Sequence, residues 1–307
     1  MKTICSLLVG LIVVFPGHGQ TQPGFAVNFV VPTDSTNLDG NTYSAGPDVA
    51  QPYTIRYQQV YAASEFSWLR NFRGGWLSFI DFRGDGTNGT QRGVKIPGIQ
   101  VNVSTSQRGP DELSEVFAGN IGTDDMVVFA GSLQTYIIGG NQGSPVSFSS
   151  FQIPFSKLFY YDPTAGNLLL DIRVTQGDTN PVICNIDVCT EPRIDAWNRT
   201  NDSVSRVLWG DVNSSTGVVD SVGLVTQFFF WPNPKLNIQL QTNSVDLWWP
   251  ANPTSFVFQT SQNLSPQTQW QSVTNDIVRS NAINTYKVFL DSAGTAAYFR
   301  LVSTTPP

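Results

Sequence analysis

The side chains in this sequence best suited to chemistry are carboxylates. Asp111, Glu112 and Glu115 lie close together, and Asp124 and Asp125 follow shortly after. Two carboxyls facing one cleft at roughly 5–10 Å, one with a raised pKa, make a glycosidase. Acids adjacent in sequence more often sit on solvated turns or cap a helix. Histidine chemistry is excluded more firmly, because the one histidine, His18, falls in what reads as a leader peptide. Ser-His-Asp and Cys-His nucleophiles, histidine general bases and histidine-ligated metals cannot be built from the residues beyond it.

Hard oxygen ligands are available instead. Asp81, Asp85 with Asn88 in a glycine-rich turn, and Asp111 with Asp124 and Asp125 are the residues that would hold calcium, which binds loop carboxylates and carbonyls. The turn lacks the ligand rhythm and terminal Glu of an EF-hand, and no other cofactor is expected. Arg83, Gly84 and Asp85 match an integrin-binding tripeptide, a three-residue coincidence. Asn-x-Ser/Thr triplets begin at Asn88, Asn102, Asn198, Asn201, Asn213 and Asn263; chains rich in Ser, Thr and Asn generate such triplets by chance.

Aromatic rings are the other chemical resource, since a pyranose can stack its apolar face on one. Most aromatics at strand positions belong to the core. Of those outside the C-terminal region, Trp197, Trp76 and Trp209 are the candidate sugar platforms, with Trp68 and the run Phe228 to Trp231 as further rings. Trp197, between Asp195 and Asn198 in a polar stretch, is the one expected at the surface. Cys184 and Cys189, in a Cys-Asn-Ile-Asp-Val-Cys run, read as a disulfide closing a small loop. A zinc site fails for want of two more ligands, and the spacing is not that of a Cys-x-x-Cys redox pair.

What must position these groups is a β-rich chain. Lys2, an apolar run from Ile4 to Phe15 and small residues around His18 read as a secretory signal over residues 1–19. The run is too short for a membrane span, which takes about 20 residues. The expectation is an exported protein with no membrane span. Formal net charge is −6, and loss of the leader with Lys2 makes it one unit more negative. Few, scattered basic residues disfavour nucleic acid and anionic membranes as partners.

Alternating or short apolar runs predict strands at Thr54–Tyr61, Gly75–Phe82, Ile99–Ser104, Met126–Gly131, Phe148–Pro154 and Asn167–Val174. One short helix is expected near Ser114–Ala118, and a long loop over Asp178–Asp202. Prolines at 232 and 234 mark a boundary between residues 20–231 and a smaller module at 236–303. Six further strands are expected there, at Leu236–Gln241, Ser244–Trp249, Ser255–Ser261, Trp270–Val273, Asn284–Leu290 and Ala296–Val302, packed around Trp248, Phe256, Trp270, Tyr286 and Tyr298. The fold class is all-β: a jelly-roll-like β-sandwich followed by a small immunoglobulin or fibronectin III-like sandwich.

The ordered string from Tyr57–Tyr61 through Ile99–Ser104, Pro110–Leu113, Phe117–Asp125 and Val127–Gly131 to Phe159–Pro163 and Gly166–Asp171 resembles exported bacterial proteins that often carry PEP-type C-terminal sorting tails. That resemblance covers about residues 53–231. It implies an extracellular β-rich domain and carries over no catalytic residues. The sequence departs from that group at Thr304–Pro307, where neither anchor helix nor basic tail stands, so sorted attachment is not expected. Val245–Pro250, Phe256–Leu264, Trp270 and Tyr298–Leu301 resemble a fibronectin type III or immunoglobulin-like module of exported bacterial proteins, which spaces, docks or binds. Together these readings point to a non-catalytic surface or extracellular protein that binds polysaccharide or another envelope component. A carboxylate-dependent glycan hydrolase or lyase and a purely structural matrix protein are the alternatives.

Overall fold

The computed structural model describes residues 26–44, 54–85, 91–138, 148, 151–178, 193–251, 256–263, 269–280, 283–289 and 297–303. The leader, Asn88, Cys184 and Cys189 lie outside the described residues. The chain forms two compact units, Val27–Pro232 and a smaller one containing Asn233–Pro307.

The larger unit runs β1 (Val27–Val31), β2 (Thr42–Ser44), β3 (Ile55–Tyr61), β4 (Gly75–Phe82), β5 (Gly84–Asp85), β6 (Gln91–Ser106) and β7 (Met126–Ile138). It continues with β8 (Phe151–Tyr161), β9 (Asn167–Gln176), β10 (Arg193–Asn198), β11 (Val204–Trp209), β12 (Val218–Asp220), β13 (Val222–Leu224) and β14 (Thr226–Pro232). One sheet has the order β1-β14-β4-β8 and another β12-β11-β3-β9-β6-β7, all antiparallel. They share one core: Leu77, Ile80, Phe228 and Phe230 come from the first, and Tyr57, Tyr61, Val101, Leu170 and Ile172 from the second. Period-two alternation explains this directly, since along β14 Thr226, Phe228, Phe230 and Pro232 are buried while the residues between them are half-exposed. This is the jelly-roll-like sandwich. Strands β6 to β8 extend further than their apolar runs indicate, because β6 passes Pro97 through a bulge between Ile96 and Ile99 and then resumes pairing.

Two short helical segments depart from expectation. A 3-10 segment at Ala63–Phe72 buries Phe66 edge-on against Phe228 and Tyr161, at 5.2 and 5.4 Å between ring centroids. The helix expected at Ser114–Ala118 is instead a single 3-10 turn at Phe117–Asn120, preceded by Asp111 at φ 61°. That turn lies on the outer face of the six-stranded sheet, where Leu113 and Phe117 cover Val60, Leu169 and Val207.

The third sheet, β13-β10-β2 with β5 also on β10, corrects the long-loop expectation for Asp178–Asp202 at Arg193–Asn198, which is strand, while residues 179–192 lie outside the described residues. Ile194 and Ala196 of β10 are fully buried in the main core. The polar residues that made this stretch read as loop alternate with them on the opposite face.

The smaller unit comprises β15 (Asn237–Leu240), β16 (Ser244–Pro250), β17 (Phe256–Ser261), β18 (Gln271–Ser272), β19 (Val278–Ser280), β20 (Ile283–Phe289) and β21 (Tyr298–Ser303). Its sheets, β15-β16-β20-β19 and β18-β17-β21, follow the A-B-E-D and C′-C-F order of an immunoglobulin-type sandwich. The core centres on Val245, Leu247, Trp249 and Phe258, with Trp249 stacked on Phe258 at 4.6 Å. The sequence expectation placed Trp248 inside. A one-residue change of phase exchanges the two faces of a strand, and Trp248 lies on the other side, opposite Asn237 and Thr285.

Candidate functional site

The opposite face of β10 carries Asp195 and Trp197, and Arg199 follows just beyond the strand. Asp195 is 2% exposed and Arg83 fully buried. Arg83 donates from Nε to Asp195 at 2.7 Å and from Nη2 to the same carboxylate. Its Nη1 and Nη2 also reach the carbonyls of Ser35 and Leu38, the latter at 2.6 Å. The Gly40 amide donates to Asp195 Oδ1 at 3.0 Å. A Cβ on Gly40 would stand 2.0 Å from the Ala196 carbonyl oxygen, so only glycine permits this approach. Burial pushes the Asp195 carboxyl up to about 6, against the opposing pull of Arg83. One buried ion pair thus pins the segment from Ser35 to Gly40 against β10.

A cleft lies near that segment, lined by residues that precede it and by others. A cavity of about 440 Å³ is lined by Pro32, Asp34, Ala62, Ser64, Glu65, Arg199, Asn201, Asp202 and Ser203. The Arg199 guanidinium lies 3.7 Å from the centroid of the Trp197 ring, and its Nη1 donates to Asp34 at 2.9 Å. The Trp197 indole N–H donates to the Ser35 hydroxyl, which fixes the ring. Glu65 accepts from the Thr33 backbone N–H at 3.1 Å and from the Thr33 hydroxyl. The Asn201 amide donates to Asp111 Oδ2 at 2.6 Å, and the Val204 amide donates to Asp202 Oδ1 at 3.0 Å. Asp202 Oδ2 and Arg199 Nε and Nη2 are buried atoms without a hydrogen-bond partner among the described residues. Burial raises the Asp202 carboxyl above the usual range, and the nearby Asp111 and Asp34 add to the effect. The cleft thus presents three carboxylates, one guanidinium and two serine residues.

The sequence candidates fall in different places. Trp197 does not itself line the cleft; it carries the guanidinium of Arg199, which does, over its ring. Trp209 stands open at 49% exposure at the end of β11. Trp76 is corrected: at 5% exposure it packs against Tyr160 at 5.1 Å between centroids and presents no platform. Asp111 borders the cleft. Asp124 is held elsewhere, accepting from the Thr105 amide and hydroxyl at 2.7 and 2.6 Å, and Asp125 accepts from the Asn102 side chain at 2.8 Å. Glu112 turns back onto the Gly109 amide at 3.1 Å. Asp81 is 1% exposed and accepts from Gln152 at 3.2 Å, while Asp85 sits on β5. Among the described residues no three His, Cys, Asp or Glu side chains converge to hold a metal ion. The carboxylates suggested for calcium, as far as they are described, do not form such a group.

Asp34, Glu65, Arg199 and Asp202 escaped the sequence reading. The polar run after Trp197 is their one local signal; Asp34 and Glu65 arrive from the far end of the unit.

No family model matches the chain, and no curated protein matches it. A beta-D-glucuronidase from Dictyoglomus thermophilum is similar at 10% identity, over 92% of this chain and 44% of that one, with a TM-score of 0.21. The chain therefore spans less than half the length of that protein, and likeness at this level carries no argument. No described helix is long and apolar enough to cross a membrane.

Proposed function

We propose that this is an exported protein whose larger unit binds polysaccharide, through the cleft between Asp34, Glu65, Arg199 and Asp202, without transforming it. The observation that carries this reading is the polar lining of the cleft, in which the Arg199 and Asp34 side chains are 36% and 51% exposed and the Arg199 guanidinium is held over the Trp197 ring. A sugar hydroxyl both donates and accepts, so one diol can serve the exposed parts of Arg199 and Asp34 together. Three carboxylates against one guanidinium favour a neutral or amine-bearing sugar over an acidic one.

A hydrolase reading has one observation in its favour, namely that Asp202, with its raised pKa, shares the cleft with Glu65. Both readings are tested by probing the full chain against plant, algal and bacterial polysaccharides while following reducing sugar. Binding without release, lost in Arg199→Ala, supports the proposal. Release abolished by Asp202→Asn moves the protein to the hydrolases. Binding to none of the polysaccharides overturns both.

A further inference from the structure

The charges around the cleft do not balance. Arg199 is the one cationic side chain among the residues that line it, and its ion pair, at 2.9 Å, is with Asp34. Glu65 and Asp202 line the same cleft but meet neutral donors. Glu65 takes the Thr33 amide at 3.1 Å and the Thr33 hydroxyl, and Asp202 takes the Val204 amide at 3.0 Å. Asp111 adds a carboxylate at the border, where it holds the Asn201 amide at 2.6 Å. Neutral hydrogen bonds fix these oxygens in place without cancelling their charge. With Arg199 spent on Asp34, the remaining acids face no second cation among the lining residues.

These acids also feel one another. Burial is the first cause that raises the Asp202 carboxyl, and Asp111 and Asp34 push in the same direction, against the Val204 amide and Arg199. A cleft whose net field is negative concentrates cations. Among the described residues no three His, Cys, Asp or Glu side chains are grouped to hold a metal ion, so the acids are spread along a wall and not gathered around a point. The cavity, about 440 Å³, has room for a sugar ring.

We propose that the cleft selects sugars bearing a free amine, as in an oligomer of glucosamine, over their acetylated and neutral counterparts. This specificity rests on the polysaccharide-binding reading above. An ammonium group donates three hydrogen bonds and accepts none, so it suits a wall of carboxylate acceptors. It sits toward Glu65 and Asp202, while hydroxyls of the same ring meet the exposed parts of Arg199 and Asp34. Acetylation of the amine removes its charge and leaves a single N–H, which forfeits the Coulombic part of the match.

The test is calorimetric titration of the full chain at pH 6 with the hexamer of glucosamine, its fully N-acetylated counterpart and a hexamer of glucose, at low salt and in 0.5 M sodium chloride. At low salt the glucosamine hexamer should bind about tenfold or more tighter than the other two. That margin should shrink at high salt, where partly exposed charges are screened. Glu65→Gln and Asp202→Asn keep an acceptor oxygen for Thr33 and Val204, and each should narrow the margin by about threefold or more. Binding of the glucosamine hexamer that none of Glu65→Gln, Asp202→Asn and Arg199→Ala alters is attraction of a cation to an acidic chain at large, and it overturns the proposal. Equal or tighter binding of the acetylated or glucose hexamer, lost in Arg199→Ala, overturns the amine specificity and leaves the function proposed above intact. Binding of no hexamer and no polysaccharide overturns both.

Discussion

Two arginine–aspartate pairs stand on the same side of β10, and they differ in what surrounds them. Arg83 and Asp195 are buried, and the guanidinium also holds the Ser35 and Leu38 carbonyls while the carboxylate holds the Gly40 amide. Arg199 and Asp34 meet at an open cleft, with side-chain exposures of 36% and 51% and two guanidinium nitrogens unpartnered. The first pair consumes its hydrogen-bonding capacity in positioning a segment of chain. The second is partly exposed and leaves two guanidinium nitrogens without a partner among the described residues. Similar residue types therefore differ in how completely their polar atoms are satisfied, and the proposed binding role falls on the less satisfied pair.

The largest effect should come from breaking the buried pair. Arg83→Ala leaves Asp195 buried without its counter-ion, and denaturant unfolding should report a loss of about 3–5 kcal/mol. Replacing both partners with apolar residues should restore only part of this, because Ser35, Leu38 and Gly40 still lose their partners. Gly40→Ala should cost about 1–3 kcal/mol in the same measurement, since the added Cβ collides with the Ala196 carbonyl. Arg199→Ala should shift stability by no more than about 1 kcal/mol, as expected for a partly exposed pair, while abolishing glycan binding.

Smaller and more diagnostic is the pH dependence. Asp195 has a folded value of about 6 against an ordinary 3.8. In that interval the folded state binds more protons than the unfolded one, so this group's contribution to stability falls as pH rises from about 4 to about 6. Asp171 acts in the opposite sense. Burial alone would raise its carboxyl, but hydrogen bonds from Arg56 and Arg173 outweigh burial and hold it below the ordinary value. Its contribution is present above the ordinary carboxylate value and is lost as pH falls through the depressed one. Unfolding midpoints of Asp195→Asn and Asp171→Asn across pH 3–7 should separate the two: the first variant should lose the decline between pH 4 and 6, the second the acid-side loss.

The same contrast explains what could be read from the chain alone. Strand β4 was legible to the residue, because Gly75–Phe82 is an apolar run set between Gly74 and the Arg83-Gly84 pair. Strand β10 was not, because the residues alternating with Ile194 and Ala196 are polar, and a buried Asp195 is indistinguishable from a loop aspartate until Arg83, 112 residues earlier, is known to meet it. For that reason Arg83 itself read as part of a surface turn. Of the adjacent tryptophans of β16 the sequence reading put Trp248 inside, and packing against Phe258 shows that it is Trp249. Trp197 was singled out by its polar neighbours, yet Asp34 and Glu65, which line the cleft with Arg199, carry no local mark. Trp209 was singled out as a ring, and its exposure follows from its place at the end of β11.

The most direct test of the proposal that the cleft beside Arg199 is the binding site is calorimetric titration of wild type, Arg199→Ala and Gly40→Ala with the polysaccharide that the wild type retains best from the panel. Binding should vanish in Arg199→Ala at nearly unchanged stability, and should weaken in Gly40→Ala as the pinned segment that follows Asp34 is displaced. Undiminished binding by a folded Arg199→Ala protein would contradict the account.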